Sequence, residues 1–121
     1  MNEPQSLAEK ITTRAEVALA READVRADFT ASITAGAALT PYILKPVMVA
    51  EAEAQPWRQV ARAIKRGTDP VAALREARED ATETLLETAP TRSTDGLTNE
   101  ADHIQREALR KFLRDTRRAI A

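Results

Sequence analysis

Charged side chains recur along most of the 121-residue chain, but between residues 29 and 50 only Lys45 is charged. The first 16 residues of this stretch, 29–44, carry no charge at all. An apolar run between charge-rich segments predicts a buried central stretch with amphipathic helices packed around it. Pro41 and Pro46 lie within the run, and an internal proline removes a helical hydrogen bond. We therefore predict a kink or short turn near Lys45.

The segments on both sides of this run repeat apolar residues at helical spacing. Pro56 marks a restart after the run, Gly67 marks a helix end, and Asp69 is placed to cap the helix that follows. The stripes and caps together predict helices over residues 6–28, 57–66, 70–88 and 99–121, with a Pro, Ser, Thr, Asp and Gly-rich loop over residues 89–98.

The composition favours helices over strands. The chain has 24 alanines, four aromatic residues and three glycines, and no run of β-branched residues indicates a strand. A chain of this length is sufficient for one hydrophobic core without disulfides or metals. The fold class we predict is a single all-α domain over residues 1–121, a bundle of four to six helices around the proline-kinked central stretch.

Glu22 lies inside the apolar stripe of the first predicted helix. It either breaks that helix or is half-buried beside Arg26, one turn later, where the opposite charge compensates its own. A salt bridge at the edge of the buried face is the interpretation we favour over a catalytic acid.

Residues capable of metal or catalytic chemistry are few. The chain has no cysteine, and its single histidine, His103, follows Glu100 at the spacing that di-iron helical bundles use in pairs. On a helical wheel His103 points away from the apolar stripe containing Ile104 and Phe112, whereas bundle metal ligands point inward. No serine elbow or phosphate-binding glycine loop is present. We predict no metal, no cofactor and no enzymatic activity.

Two helical faces concentrate charge, although the net charge of the chain is −1. The outer face of the 70–88 helix is acidic, and the outer face of the last helix is basic. Residues 106–121 contain six basic and two acidic residues, a net charge of +4. The acidic stripe comprises Glu76, Glu79, Asp80, Glu83 and Glu87, and the arginine stripe comprises Arg106, Arg110, Arg114, Arg117 and Arg118.

These faces predict a protein-interaction or assembly module that self-associates through stripes of opposite sign. Leu86 projects away from the predicted core beside the acidic stripe, so we expect it to be exposed at the contact. The competing interpretation is an ordinary solvated surface. The alternative function is a nucleic-acid-binding accessory protein that uses the arginine stripe together with basic residues before Gly67. Those residues are Arg58, Arg62, Lys65 and Arg66.

The cellular setting is less constrained. Lys45, the prolines and the hydroxyl residues of 29–50 argue against a membrane span, and the first residues do not resemble a secretory signal. We expect a cytoplasmic protein. The alanine and arginine bias suits a GC-rich bacterium or its phage.

Overall fold

The structure is a computed structural model that describes residues 6–38, 41–87 and 96–117. These residues form four α-helices: α1 (Leu7–Thr34), α2 (Pro41–Lys65), α3 (Pro70–Glu87) and α4 (Gly96–Thr116). No strand occurs within the described ranges, so the predicted all-α class is confirmed. The number of helices is at the lower end of the predicted range.

Helix α1 extends six residues beyond the predicted end at residue 28. Ser6 caps its start, because the Ser6 Oγ accepts a hydrogen bond from the Glu9 N–H at 3.2 Å. Its end is set by Gly36, whose φ of +96° is a left-handed conformation that glycine adopts without steric cost. The Gly36 N–H donates to the Ile33 carbonyl and the Ala37 N–H donates to the Ser32 carbonyl, the Schellman pattern. The uncharged residues after 28 therefore continue the helix.

Helix α2 runs through both Pro46 and Pro56, so the predicted restart at Pro56 is wrong and the predicted kink or short turn near Lys45 is not confirmed. Each internal proline removes one backbone hydrogen bond and crowds the preceding turn, at a cost of about 3 kcal/mol. Packing outweighs this local cost at Pro56, which is buried among the other helices. Pro46 is exposed in the second turn of the helix, where water can reach the carbonyl that loses its partner.

The turn from α2 to α3 matches the prediction. Gly67 has φ of +99°, and the Thr68 N–H donates to the Ala63 carbonyl in a second Schellman pattern. The Asp69 Oδ2 then accepts from the Ala72 N–H at 3.2 Å and caps α3. Helix α4 begins at Gly96, three residues before its predicted start at residue 99, so residues 96–98 belong to the helix and not to the predicted loop. Residues 88–95 and 118–121 lie outside the described ranges.

Helix α2 packs against each of the other three helices. Contacts of Arg58 with Glu22 and of Arg26 with Glu51 show that α1 and α2 are antiparallel. Helices α3 and α4 are also antiparallel, since residues 78 and 85 of α3 contact residues 113 and 106 of α4 respectively. Helix α1 packs on α2 and α3 but makes only weaker contacts with α4, which leaves a groove between α1 and α4.

The core is small and lies in the half of the bundle that contains the C-terminal part of α2. Val60 and Leu74 are fully buried at its centre. The Trp57 and Phe112 rings meet edge to face, with centroids 5.1 Å apart and planes at 87°. Alanines fill the remaining helix contacts. The core residues are Ile11, Ala15, Trp57, Val60, Ala63, Ala73, Leu74, Ala77, Ala81, Leu109 and Phe112.

Candidate interaction surfaces

The acidic stripe is exposed along α3. All five of its predicted members are solvent-accessible: Glu76, Glu79, Asp80, Glu83 and Glu87. Asp80 accepts a hydrogen bond from the Gln59 side chain at 2.5 Å, which ties it to α2. The other four carboxylates form no ion pair with any described residue. This stripe therefore presents uncompensated negative charge.

Leu86 is exposed beside the acidic stripe, as predicted, with 82% of its surface accessible. It borders a shallow hollow on α3 together with Glu79, Thr82 and Glu83. Arg78 also borders this hollow, but its guanidinium is turned towards α4, where it donates to the Leu113 carbonyl at 2.7 Å. Arg75 borders the hollow as well and is exposed, so Leu86 is flanked by carboxylates and by one exposed guanidinium.

The arginine stripe is only partly presented to solvent. Arg110, Arg114 and Arg117 are exposed, whereas Arg106 is half-buried and donates to the Leu85 carbonyl at 3.4 Å. The expectation that Arg106 belongs to an open stripe is therefore wrong, because its long side chain reaches the last turn of α3. Arg118 lies outside the described residues.

The exposed arginines have weak intramolecular partners. Arg110 is 2.5 Å from Glu107 on the same helix, and Arg114 is 3.9 Å from Asp115. Such solvent-exposed pairs contribute little to stability and exchange readily with other partners. The described part of the stripe therefore keeps its capacity to bind carboxylates or phosphates.

The second basic group is divided by the fold. Arg62, Lys65 and Arg66 are exposed, but Arg58 turns inward. Its Nη2 lies 2.6 Å from both carboxylate oxygens of Glu22, and its Nη1 donates to the Gln55 side chain at 2.8 Å. Arg58 is therefore held by Glu22 and turned away from the other three members of the basic group predicted for nucleic-acid binding.

Glu22 is 9% exposed and remains helical, so the predicted ion pair with Arg26, at 3.5 Å, is confirmed. The stronger partner, Arg58, comes from 36 positions along the chain and was not foreseen. The position of Glu22 within an apolar stripe indicates that its carboxylate requires a cationic partner. Periodicity does not show which helix supplies that partner.

A groove of about 250 Å³ separates α1 from α4, with α2 as its floor. Trp57, Phe112 and Ala54 line its apolar base, and Val17 on α1 stands at its edge with 61% exposure. The Arg14 guanidinium carbon lies 5.5 Å from the centroid of the Trp57 ring, a cation–π contact. Sequence periodicity did not indicate this groove, because it depends on how far apart two helices lie.

The edges of the groove carry charge of both signs. Arg14 is 3.9 Å from Asp115, and Lys111 is 3.3 Å from Glu53. Arg21 also lines the groove and is exposed, with no ion pair to another described residue. The cations at the edges are therefore either loosely paired or open to an added carboxylate.

Glu100 and His103 are both exposed on α4. The Glu100 carboxylate lies 3.2 Å from the Lys45 ammonium, and the predicted outward position of His103 is confirmed. Within the described ranges, no group of three His, Cys, Asp or Glu side chains is arranged to hold a metal ion.

The apolar stretch is the largest difference between prediction and structure. Within residues 29–50 only Ala50 is buried among the side chains described, so the expected central position is wrong. Residues 30–36 and residue 38 are exposed, and Tyr42 is 88% exposed. The stretch forms the end of the α1–α2 hairpin, and we call its described uncharged residues, 29–38 and 41–44, the hairpin tip.

No described helix combines the length and the apolar character needed to cross a bilayer. The chain matches no protein-family model, no curated protein and no solved structure.

Proposed function

We propose that this chain is a non-enzymatic assembly module that associates with copies of itself through the acidic stripe of one copy and the basic α4 side of the next. The observation that carries the proposal is Leu86, which is 82% exposed among carboxylates that have no partner in the described structure. A protein contact commonly has an apolar centre and a polar rim, and Leu86 with its neighbouring carboxylates offers both.

The charges orient this contact, and apolar burial holds it. At physiological salt the attraction between unlike stripes is screened beyond about 8–10 Å, so it steers association more than it stabilises the complex. Removing Leu86 from water contributes about 1.5–3 kcal/mol. An apolar receptor surface is therefore needed close to the basic residues.

The α1–α4 groove meets that requirement. Its base contains Trp57 and Phe112, and Lys111 and Arg21 line its edges. Arg110 and Arg114 lie on the same helix as Lys111, one turn or less away along the sequence. In this arrangement Leu86 enters the groove, while Glu79 and Glu83 face the cations of α4.

Donor and receptor are different surfaces, so the contact is heterologous. A heterologous contact generates a ring or an open chain, according to the rotation between neighbours. The mean molar mass is therefore expected to rise steadily with protein concentration at low salt and to fall as salt is added.

Charge exchange tests this arrangement. Reversal of Glu79 and Glu83 to arginine should lower the molar mass measured by light scattering at low salt, because like charges then meet. Reversal of Arg110 and Arg114 to glutamate, mixed with the first variant, should restore association in part. Glu16 and Asp24, exposed acids on α1, provide the matched control when both are changed to arginine. A monomeric wild type, or a mixture that restores nothing, contradicts the proposal.

Nucleic-acid binding is the second candidate, favoured by the exposure of Arg62, Lys65 and Arg66 at the end of α2. Phosphate contacts release counterions, so binding would weaken steeply with salt. Replacement of Arg110 and Arg114 by alanine should then reduce the slope of log K against log salt by about two units. Absence of any complex with duplex or single-stranded oligonucleotides at low salt would exclude this candidate.

A further inference from the structure

We propose that the groove between α1 and α4 binds a small monocarboxylate whose apolar body is about the size of one six-membered ring. The groove measures about 250 Å³, and Ala54, Trp57 and Phe112 form its base. A cavity of about 150 Å³ is enough for one benzene ring, so this groove accommodates a ring together with a carboxylate. An apolar wall with a few polar groups at its border is the usual form of a small-molecule site.

The charges around the groove determine the sign of the ligand. Three acids line it, and within the described part of the chain they contact five cations at 2.6–3.9 Å. The pairs are Glu22 with Arg26 and Arg58, Glu53 with Lys111, and Asp115 with Arg14 and Arg114. When Glu51 is counted as well, because it shares Arg26, four acids face five cations before Arg21 is included. The excess charge is therefore positive and favours an anion.

Arg21 supplies the anchor for the carboxylate. It lines the groove, is exposed and forms no ion pair with another described residue. Asp24, one turn later on α1, does not line the groove and forms no ion pair with Arg21. A guanidinium binds a carboxylate through two parallel N–H···O hydrogen bonds, a geometry that an alcohol or an ammonium group cannot form.

The base of the groove is preformed. The Trp57 and Phe112 rings meet edge to face at 5.1 Å and are 7% and 3% exposed. The Arg14 guanidinium carbon lies 5.5 Å from the Trp57 centroid, and its contact with Asp115 is long, at 3.9 Å. Arg14 is therefore a second donor beside the apolar base. Such a site loses little conformational entropy on binding, but it offers only a small apolar area to cover, so we expect weak affinity.

Three probes of similar shape and different charge test the assignment. Cyclohexanecarboxylate is anionic at neutral pH, cyclohexylmethanol is neutral and cyclohexylmethylamine is cationic. With about nine non-hydrogen atoms, the carboxylate is expected to bind with a dissociation constant on the order of 1 mM. The alcohol should bind about fivefold more weakly, because it lacks the charge-assisted hydrogen bonds to Arg21, and the amine more weakly still.

Trp57 reports occupancy of the groove, because it is the only tryptophan in the chain and lies at the base. Its indole N–H gives a single resonance, whose shift is followed by NMR as each probe is added. The measurements use the Leu86→Glu variant, which lacks the side chain proposed to enter the groove from a neighbouring copy. The proposal goes beyond the assembly function and does not depend on it, although the groove holds one occupant at a time.

Substitutions at exposed positions identify the contacts without disturbing the core. Arg21→Gln should weaken carboxylate binding about fivefold and leave alcohol binding unchanged. Arg66→Gln, at an exposed position outside the groove, is its control. Val17 is 61% exposed at the edge, so Val17→Glu should weaken binding of the carboxylate and strengthen binding of the amine, while Val17→Gln separates charge from size. Circular dichroism checks that each variant is folded.

The proposal fails on any of three results. The first is cyclohexanecarboxylate that produces no saturable shift of the Trp57 indole at concentrations on the order of 10 mM. The second is an alcohol or an amine that binds as tightly as the carboxylate. The third is an Arg21→Gln variant that binds the carboxylate as tightly as the Arg66→Gln control does.

Discussion

The two halves of α2 show why apolar content and burial differ. In the half that ends at Lys65, the buried residues Ala54, Trp57 and Val60 recur every three positions. Apart from the buried Pro56, the positions between them are polar, so one face of the helix is suited to the core. In the half that begins at Pro41 no described residue before Ala50 is buried, although this half is the more apolar.

The difference lies in the pattern. A helix segment that is apolar on all sides does not specify which face packs, whereas a segment with one apolar stripe does. The half of α2 that ends at Lys65 also faces α1, α3 and α4. Helix α3 ends at Glu87 and so reaches only part of α2. Tyr42 at the start of α2 therefore remains 88% exposed.

The largest expected effect contrasts one aromatic residue from each half. Trp57→Ala removes a buried ring that contacts Phe112 and should lower the free energy of unfolding by about 3–5 kcal/mol. Tyr42→Ala removes a ring that is 88% exposed and should change stability by less than about 0.5 kcal/mol. Urea denaturation of both variants checks this, and a similar loss in both would show that the tip is part of the core.

The next effect concerns the ion pair that joins α1 to the packed half of α2. Glu22→Ala leaves Arg58 without its carboxylate, and we expect a loss of about 1–3 kcal/mol. The Arg58 side chain is 25% exposed and therefore partly hydrated, so we expect a loss near the lower end of this range. Glu16→Ala on the exposed face of α1 is the control.

A double-mutant cycle isolates this interaction. The variant Glu22→Leu with Arg58→Met replaces both charges by apolar groups and should recover most of the loss. The cycle compares the loss of unfolding free energy in the double variant with the losses in Glu22→Leu and Arg58→Met alone. If the loss in the double variant equals the sum of the two single losses, then the pair contributes through packing and not through charge.

Local signals predicted the packed part of the molecule well. Phe112 lies in the apolar stripe predicted for the last helix, and Gly67 with Asp69 marked a turn by their own backbone chemistry. These features are encoded within a few consecutive residues. A sequence-based reading therefore recovers the fold class and most of the core.

Features that depend on distant residues were missed. Nothing near Arg58 in the sequence shows that Glu22 is its partner, and nothing near Arg106 shows that it reaches Leu85. Local rules also failed at Pro56, where tertiary packing outweighs the cost of a proline in a helix. The position of the candidate groove depends on the spacing of two whole helices, so no motif predicts it.

A smaller effect on stability compares the two internal prolines of α2, one in each half of the helix. Pro46→Ala restores a helical hydrogen bond in the exposed half and should stabilise the protein by about 1 kcal/mol, after allowance for the greater entropy of the unfolded chain. Pro56→Ala restores a similar bond but leaves a cavity at a buried position, so its gain should be smaller. Thermal and urea midpoints report the order, and a Pro46→Ala variant less stable than Pro56→Ala would reverse it.

The smallest effect compares the two glycines that end α1 and α2. Gly36 and Gly67 have nearly equal φ values of +96° and +99°, and a Cβ at either position meets no atom within 4 Å. Alanine at either site therefore costs only backbone strain, about 1–2 kcal/mol locally, reduced by about 0.4–1 kcal/mol through the unfolded chain. Gly67 joins two packed helices, so the net cost of alanine at this position should appear in full in the free energy of global unfolding.

At Gly36 the exposed last turn of α1 can open without disturbing the core, so Gly36→Ala should change the global midpoint by less than about 0.3 kcal/mol. Its cost should appear instead as faster amide exchange of residues 35–37, measured by hydrogen–deuterium exchange. Asparagine tolerates this conformation better than alanine does, so Gly67→Asn should be more stable than Gly67→Ala. Equal global losses for Gly36→Ala and Gly67→Ala would mean that the tip unfolds together with the core, and that the two halves of α2 belong to one cooperative unit.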